Sequence, residues 1–203
     1  FKQAGIEQTP ENGFGATPLT KYRRHVLMFH PHTVIVYDEL EASEAVRWEW
    51  LLHSPTEFKI DAVKKTLSTD NKTKGWVAVT QLFVGHVFTL SQTDRFVVPP
   101  AITGAEYPNQ WHLTARVDGC SATRFLAIIQ VGDEAVSIIN RDGDTFNVGD
   151  WTIKAVLDAS KAPELTVSHR TEQAVFSYGT DNPALNGNFY SRQYTGSSLL
   201  YDE

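Results

Sequence analysis

Cysteine is almost missing from this sequence. Cys120 is the single one among 203 residues. No disulfide can form within the chain, and no cysteine-rich zinc site is possible. Its plain reading is a small buried hydrophobe, set in a turn marked by Asp118, Gly119 and Ser121. Methionine is as scarce. The one Met is residue 28 and residue 1 is Phe, so the chain is expected to be a piece of a longer one. The strand-like run Ser197 to Glu203 sets the same expectation at the other end. Long apolar runs are absent, so no membrane-spanning helix is expected. The first 20 residues carry no apolar signal-peptide core. Positive charge is in deficit, with 18 Lys and Arg against 24 Asp and Glu. That balance disfavours nucleic acid and polyanions as partners of the whole surface. The densest basic run is Lys21-Tyr22-Arg23-Arg24-His25, and strand alternation would split it between two faces.

Several motifs are missing too. There is no Gly-x-Ser-x-Gly elbow, since Tyr194-Thr195-Gly196-Ser197-Ser198 does not match it. No Gly-x-Gly-x-x-Gly or phosphate loop occurs. Asp142-Gly143-Asp144 begins like a calcium loop but lacks the closing Glu.

What is present is strand after strand. Residues 1–20 hold Pro10, Gly13, Gly15 and Pro18 and read as an irregular lead-in. A strand is expected over Tyr22 to Phe29, ended by His30-Pro31-His32. Thr33 to Tyr37 is apolar and β-branched, as in a strand covered on both faces. Glu39, Glu41 and Glu44, beside Asp38, read as a solvated turn. The competing reading, paired carboxylates for glycoside hydrolysis, needs them to face one cleft. Residues 45–53 place Val46, Trp48, Trp50 and Leu52 at period 2 and predict a strand. Further strands are predicted at 76–80, 86–90, 111–117, 123–131, 136–140 and 151–157. A hairpin is expected at Asp142-Gly143 and a turn at Gly149-Asp150. Leu165 to His169 and Ala174 to Tyr178 predict a closing hairpin, and 181–196 a loop. Short strands, frequent turns and almost no helix predict an all-β, antiparallel β-sandwich filling residues 21–203.

Seven histidines are the main chemical resource. His30 and His32 form the one His-x-His, a pair that can share a strand face and ligate metal. Pro31 between them favours a turn. Asp38 and His53 are the available third ligands, though nothing in the spacing compels them. The five Trp, at 48, 50, 76, 111 and 151, could stack sugars if exposed on a flat sheet. Trp48, Trp50, Trp111 and Trp151 fall on apolar faces and read as core. A set for a stand-alone sandwich lyase would be Arg116, His112 and Tyr107 converging on a concave face.

Residues 22–53 contain three pieces of a recognisable pattern: Arg24 to Val26, Val36 to Asp38, and Trp50 to His53. This stretch resembles the C-terminal β-rich part of the heparinase II/III-like polysaccharide lyases, with their Arg-x-Val, Val-x-Asp and Trp-x-Leu-His strands. The resemblance implies a parent with an N-terminal α/α toroid, a central β domain and a C-terminal sandwich, in the periplasm or outside the cell. Such a parent cleaves uronic-acid-containing polysaccharide, glycosaminoglycan among them, by β-elimination. It also implies that the catalytic Tyr and His and the structural zinc ligands lie upstream, in His-x-Asp and Asp-x-Gly motifs. Neither motif occurs ahead of Tyr22. No catalytic, metal or cofactor residue is therefore assigned in this chain, and His53 is read as a structural feature of a strand end. The expected role is a scaffold for the parent's own toroid and central β domain. The competing role is a carbohydrate-binding module that contacts polysaccharide directly.

Overall fold

The computed structural model describes residues 18–29, 32–71, 75–95, 110–132, 139–171, 175–179, 183–185 and 188–189. Among them every regular element is a strand, and all pairing is antiparallel. The first sheet is built on two 22-residue strands, β2 (Thr33–Ser54) and β7 (Trp111–Gly132). Around them lie β1 (Leu19–Phe29), β3 (Lys59–Asp61), β4 (Thr66–Asn71), β5 (Trp76–Val84) and β6 (Thr89–Thr93). The order is β1-β2-β7-β5-β4-β3, with β6 also on β7. The second sheet is a meander in reverse order. It holds β8 (Ile139–Asp142), β9 (Thr145–Val148), β10 (Trp151–Ala155), β11 (Leu165–His169), β12 (Val175–Tyr178), β13 (Ala184–Leu185) and β14 (Asn188–Phe189). The predicted all-β sandwich is what forms.

A straight 22-residue strand would run roughly 70 Å, longer than the roughly 40 Å expected across a domain of this length. The β2–β7 ribbon must therefore bend. Its register shifts between Glu41 and Trp48. Opposite that shift, Gly119 adopts φ +70°, a conformation costly for any residue with a Cβ. The Trp48 indole donates to the Cys120 carbonyl at 3.0 Å and ties the bulge. The bend explains the second hydrophobic cluster. Val36, Leu40, Phe125 and Ala127 from one half of the ribbon pack with Trp48, Trp50, Leu113, Ala115 and Val117 from the other, around Leu67 and Leu82. The first cluster lies between the sheets, where Ile35, Tyr37, Leu126 and Ile128 meet Phe146, Ile153, Leu165, Val167 and Phe176. Strand β2 thus has one apolar face toward each core. This is why Thr33 to Tyr37 reads as apolar at nearly every position.

Several expectations change. The acidic stretch 39–44 is not a turn but the middle of β2, and Glu39 is buried. Cys120 sits in a bulge inside continuous β7 and is half-buried. The lead-in ends earlier than residue 20, because β1 begins at Leu19. His86 to Phe88 lies outside the strands, and β6 begins at Thr89. There Gly85 presses against another loop, so that an added Cβ would stand 2.1 Å from the Leu157 carbonyl oxygen. Strand β12 is not the last, since β13 and β14 follow within the stretch expected to be loop. The pair β3–β4 comes from a segment with no clear alternation. Both turns, at Asp142-Gly143 and Gly149-Asp150, form as predicted. Residues 1–17, His30, Pro31, Tyr107 and most of 181–196 lie outside the described residues, as does the start of the 136–140 strand.

Candidate functional site

The basic run of β1 is divided by strand alternation. Lys21, Arg23 and His25 turn toward the second sheet, and Tyr22 and Arg24 face the opposite way. Pairing puts Arg23, Glu39 and Arg124 in one row across three strands, and His25, Tyr37 and Leu126 in the next. Glu39 is 1% exposed. Its Oε2 accepts from Lys21 Nζ at 2.8 Å, and Lys21 also reaches Glu41 at 3.1 Å. Burial works against the Lys21 charge, but these two carboxylates outweigh it and raise its pKa. From the second sheet, Tyr178 completes the group and accepts a hydrogen bond from Arg23. Burial first, and then the Glu39 carboxylate, raise the Tyr178 phenol. The His25 ring lies 4.1 Å from the Tyr178 ring, with Phe176 and Tyr37 also against it. Burial lowers the His25 pKa to about 4, although Glu39 pulls the other way.

Arg124 is only 5% exposed and spends its guanidinium on backbone. It donates to the carbonyls of Val156 at 3.1 Å, Asp158 at 2.9 Å and Lys161 at 2.7 Å. Tyr37 donates to the same Val156 carbonyl at 2.8 Å. Together they hold the connection between β10 and β11 against the first sheet. Sequence reasoning placed Glu39 in a solvated turn and missed Arg124. The usable signal was a charged residue inside an otherwise apolar run, at Arg124 between Thr123 and Phe125.

On the other face, Arg24 grips Asp38 with two donors, at 2.6 and 2.8 Å. Asp38 is 1% exposed. Burial raises its carboxyl above the ordinary value, while Arg24 and the Trp50 indole draw it back. Arg24, Asp38 and Trp50 each come from a different one of the three motif pieces, and here they meet. His53, from the third piece, does not join them. It stands at the far end of β2 on the outer face, with its ring 4.4 Å from that of its cross-strand partner His112.

The proposed third ligands for His30 and His32 fail on this geometry. Asp38 is committed to Arg24, and His53 is at the opposite end of β2 from His32. Among the described residues, no three His, Cys, Asp or Glu side chains gather as a metal site. The carboxylates Glu39, Glu41 and Glu44 do not line a cleft, since Glu39 is buried under the second sheet. Arg116 and His112 do share the outer face of β7, with Arg116 bound to Asp118 at 2.8 Å. Trp48 and Trp50 are core, at 8% and 5% exposure, whereas Trp111 and Trp151 are half-buried at the margins of the two clusters. Trp151 stacks on Phe29 at 4.2 Å. The arrangement neutralises charge inside the protein and stitches two sheets. No family model matches the chain, and no curated protein matches it.

Proposed function

We propose that this chain is the C-terminal β-sandwich of a heparinase II/III-like polysaccharide lyase, acting as a scaffold for the domains that carry the chemistry. The parent would cleave uronic-acid-containing polysaccharide by β-elimination, in the periplasm or outside the cell. Its base, its proton donor and its structural zinc would be supplied upstream.

The observation that carries this reading is the fate of the motif residues. Arg24 spends two donors on Asp38 within the first sheet, and Asp38 and Trp50 are buried. A pattern of that kind specifies a fold. The neighbouring cations Lys21 and Arg23 are likewise engaged by Glu39, Glu41 and Tyr178 and form no basic groove. A scaffold also needs a face to present. On β1, Val26 and Met28 are 60% and 76% exposed, and Tyr22, 49% exposed, is set apart from them by Arg24. The bent half of the ribbon covers Val36 and Ala127 but leaves Val26 and Met28 uncovered. Exposed apolar side chains at the end of a strand fit a domain contact.

The competing reading, a carbohydrate-binding module, requires coplanar exposed aromatics. The burial of Trp48 and Trp50 removes two of the five tryptophans from that role. Titration with heparin, heparan sulfate and alginate, followed by tryptophan fluorescence and calorimetry, separates the two. A scaffold gives a blue-shifted emission that no glycan changes. Saturable binding with a fluorescence change would instead favour the binding module.

A further inference from the structure

We infer that His53 and His112 form a binding site for a divalent transition-metal ion, on the outer face at the far end of the β2–β7 ribbon. The two residues are direct cross-strand partners. Their ring centroids are 4.4 Å apart, with the planes inclined at 34°. Two imidazoles at that spacing can both turn a nitrogen toward one ion without moving the backbone, because directly opposed strand residues keep their Cβ atoms about 5 Å apart.

The surroundings fit a cation. Thr93 on β6 is the next residue in the same row, and Leu51, Thr114 and Ser91 make up the row behind it. Neither row carries an Arg or Lys. Arg116, one row further on, lies opposite Glu49 and shares Asp118 with Arg47, so the two guanidiniums there meet two carboxylates. His53 is exposed, so water can fill the remaining coordination positions. Neutral imidazole suits zinc, nickel and copper, and the general affinity order puts Cu2+ first. Because both ligands are fixed to one sheet, the second imidazole binds as an intramolecular step and tightens the whole. With two protein ligands and solvent for the rest, the site is an exchangeable one. It would pin the ends of the two longest strands, where β2 stops at Ser54 and β7 starts at Trp111. This inference does not rest on the lyase reading.

The test is a Cu2+ titration of the metal-free full chain, read by electron paramagnetic resonance and by calorimetry. The expected signal from the tightest site shows splitting by two imidazole nitrogens. His53→Gln and His112→Gln should each weaken that site roughly tenfold or more. The double substitution His30→Gln/His32→Gln, at the one His-x-His of the sequence, should leave it unchanged. The inference is overturned if His53→Gln alters neither affinity nor spectrum, or if the His30/His32 substitutions abolish the tight site. Circular dichroism without metal checks folding. If His112→Gln fails that check, the exposed His53→Gln decides the outcome.

Discussion

Arg24 on β1 and Asp38 on β2 are cross-strand partners joined by two hydrogen bonds, with the carboxylate almost wholly buried. Removing one partner strands the other. Arg24→Ala leaves an uncompensated carboxylate and should cost about 3 kcal/mol, the low end for a broken buried pair because Arg24 is partly exposed. The double substitution Arg24→Met/Asp38→Leu should recover most of that loss. Urea unfolding of the single and double variants measures both.

His25 makes stability depend on pH. Its pKa is about 4 in the folded chain against an ordinary 6.5, so the folded state favours the neutral ring. The unfolded chain therefore binds the proton first as pH falls. Stability is full above pH 6.5, declines below it, and reaches its whole loss of about 3 kcal/mol beneath pH 4. Asp38, whose pKa is raised, works in the opposite direction and blunts the slope. The difference between the native chain and His25→Gln isolates the histidine, and that variant should show a flatter profile between pH 4 and 6.5. The groups facing His25 are Arg23, Glu39, Tyr37 and Tyr178.

Arg124 holds three carbonyls with one planar group. Lysine cannot reproduce that fork. Arg124→Lys should cost about 2 kcal/mol, since carbonyls lose charge-assisted donors in a buried setting. Faster amide hydrogen exchange should be confined to residues 156–164, while the β2–β7 amides stay protected.

Gly85→Ala tests the close approach of the β5–β6 loop to Leu157. A Cβ 2.1 Å from a backbone oxygen forces one loop to move. A loss of about 2 kcal/mol is expected, as for other overpacked sites. Thermal unfolding of this variant beside a Gly179→Ala control, where an added Cβ would stand 3.7 Å from the Pro163 carbonyl oxygen, separates crowding from glycine's own conformational preference.

Alternation and turn pairs made much of the fold legible. Trp111 to Val117 and Trp151 to Leu157 read as strands because apolar residues recur every second position, although β10 stops at Ala155 and the Val156 carbonyl turns to Arg124 and Tyr37; Asp142-Gly143 read as a hairpin from its turn chemistry. The long strands were not legible as wholes. Residues 39–44 and Asp118-Gly119 look like turns, yet they form the bend of one ribbon. Glu39 reads as solvated because its partners are distant: Lys21 is 18 residues away, and Tyr178 comes from the other sheet. No local pattern reports a row such as Arg23, Glu39 and Arg124. The splitting of the basic run between two faces, by contrast, follows directly from period 2, and the ion pairs of Lys21 and Arg24 bear it out. His53 was readable as a strand end but not as the partner of His112, because that pairing depends on the register of two strands 59 residues apart in their opposed ends.

If the sandwich supports chemistry carried elsewhere, the chain alone releases no unsaturated uronate from uronic-acid-containing polysaccharide. The direct measurement is incubation of the chain with heparin, heparan sulfate and alginate, following ultraviolet absorbance of unsaturated uronate. No product above the protein-free control is expected, with or without added zinc. Robust product formation that survives a chelator would contradict the scaffold role.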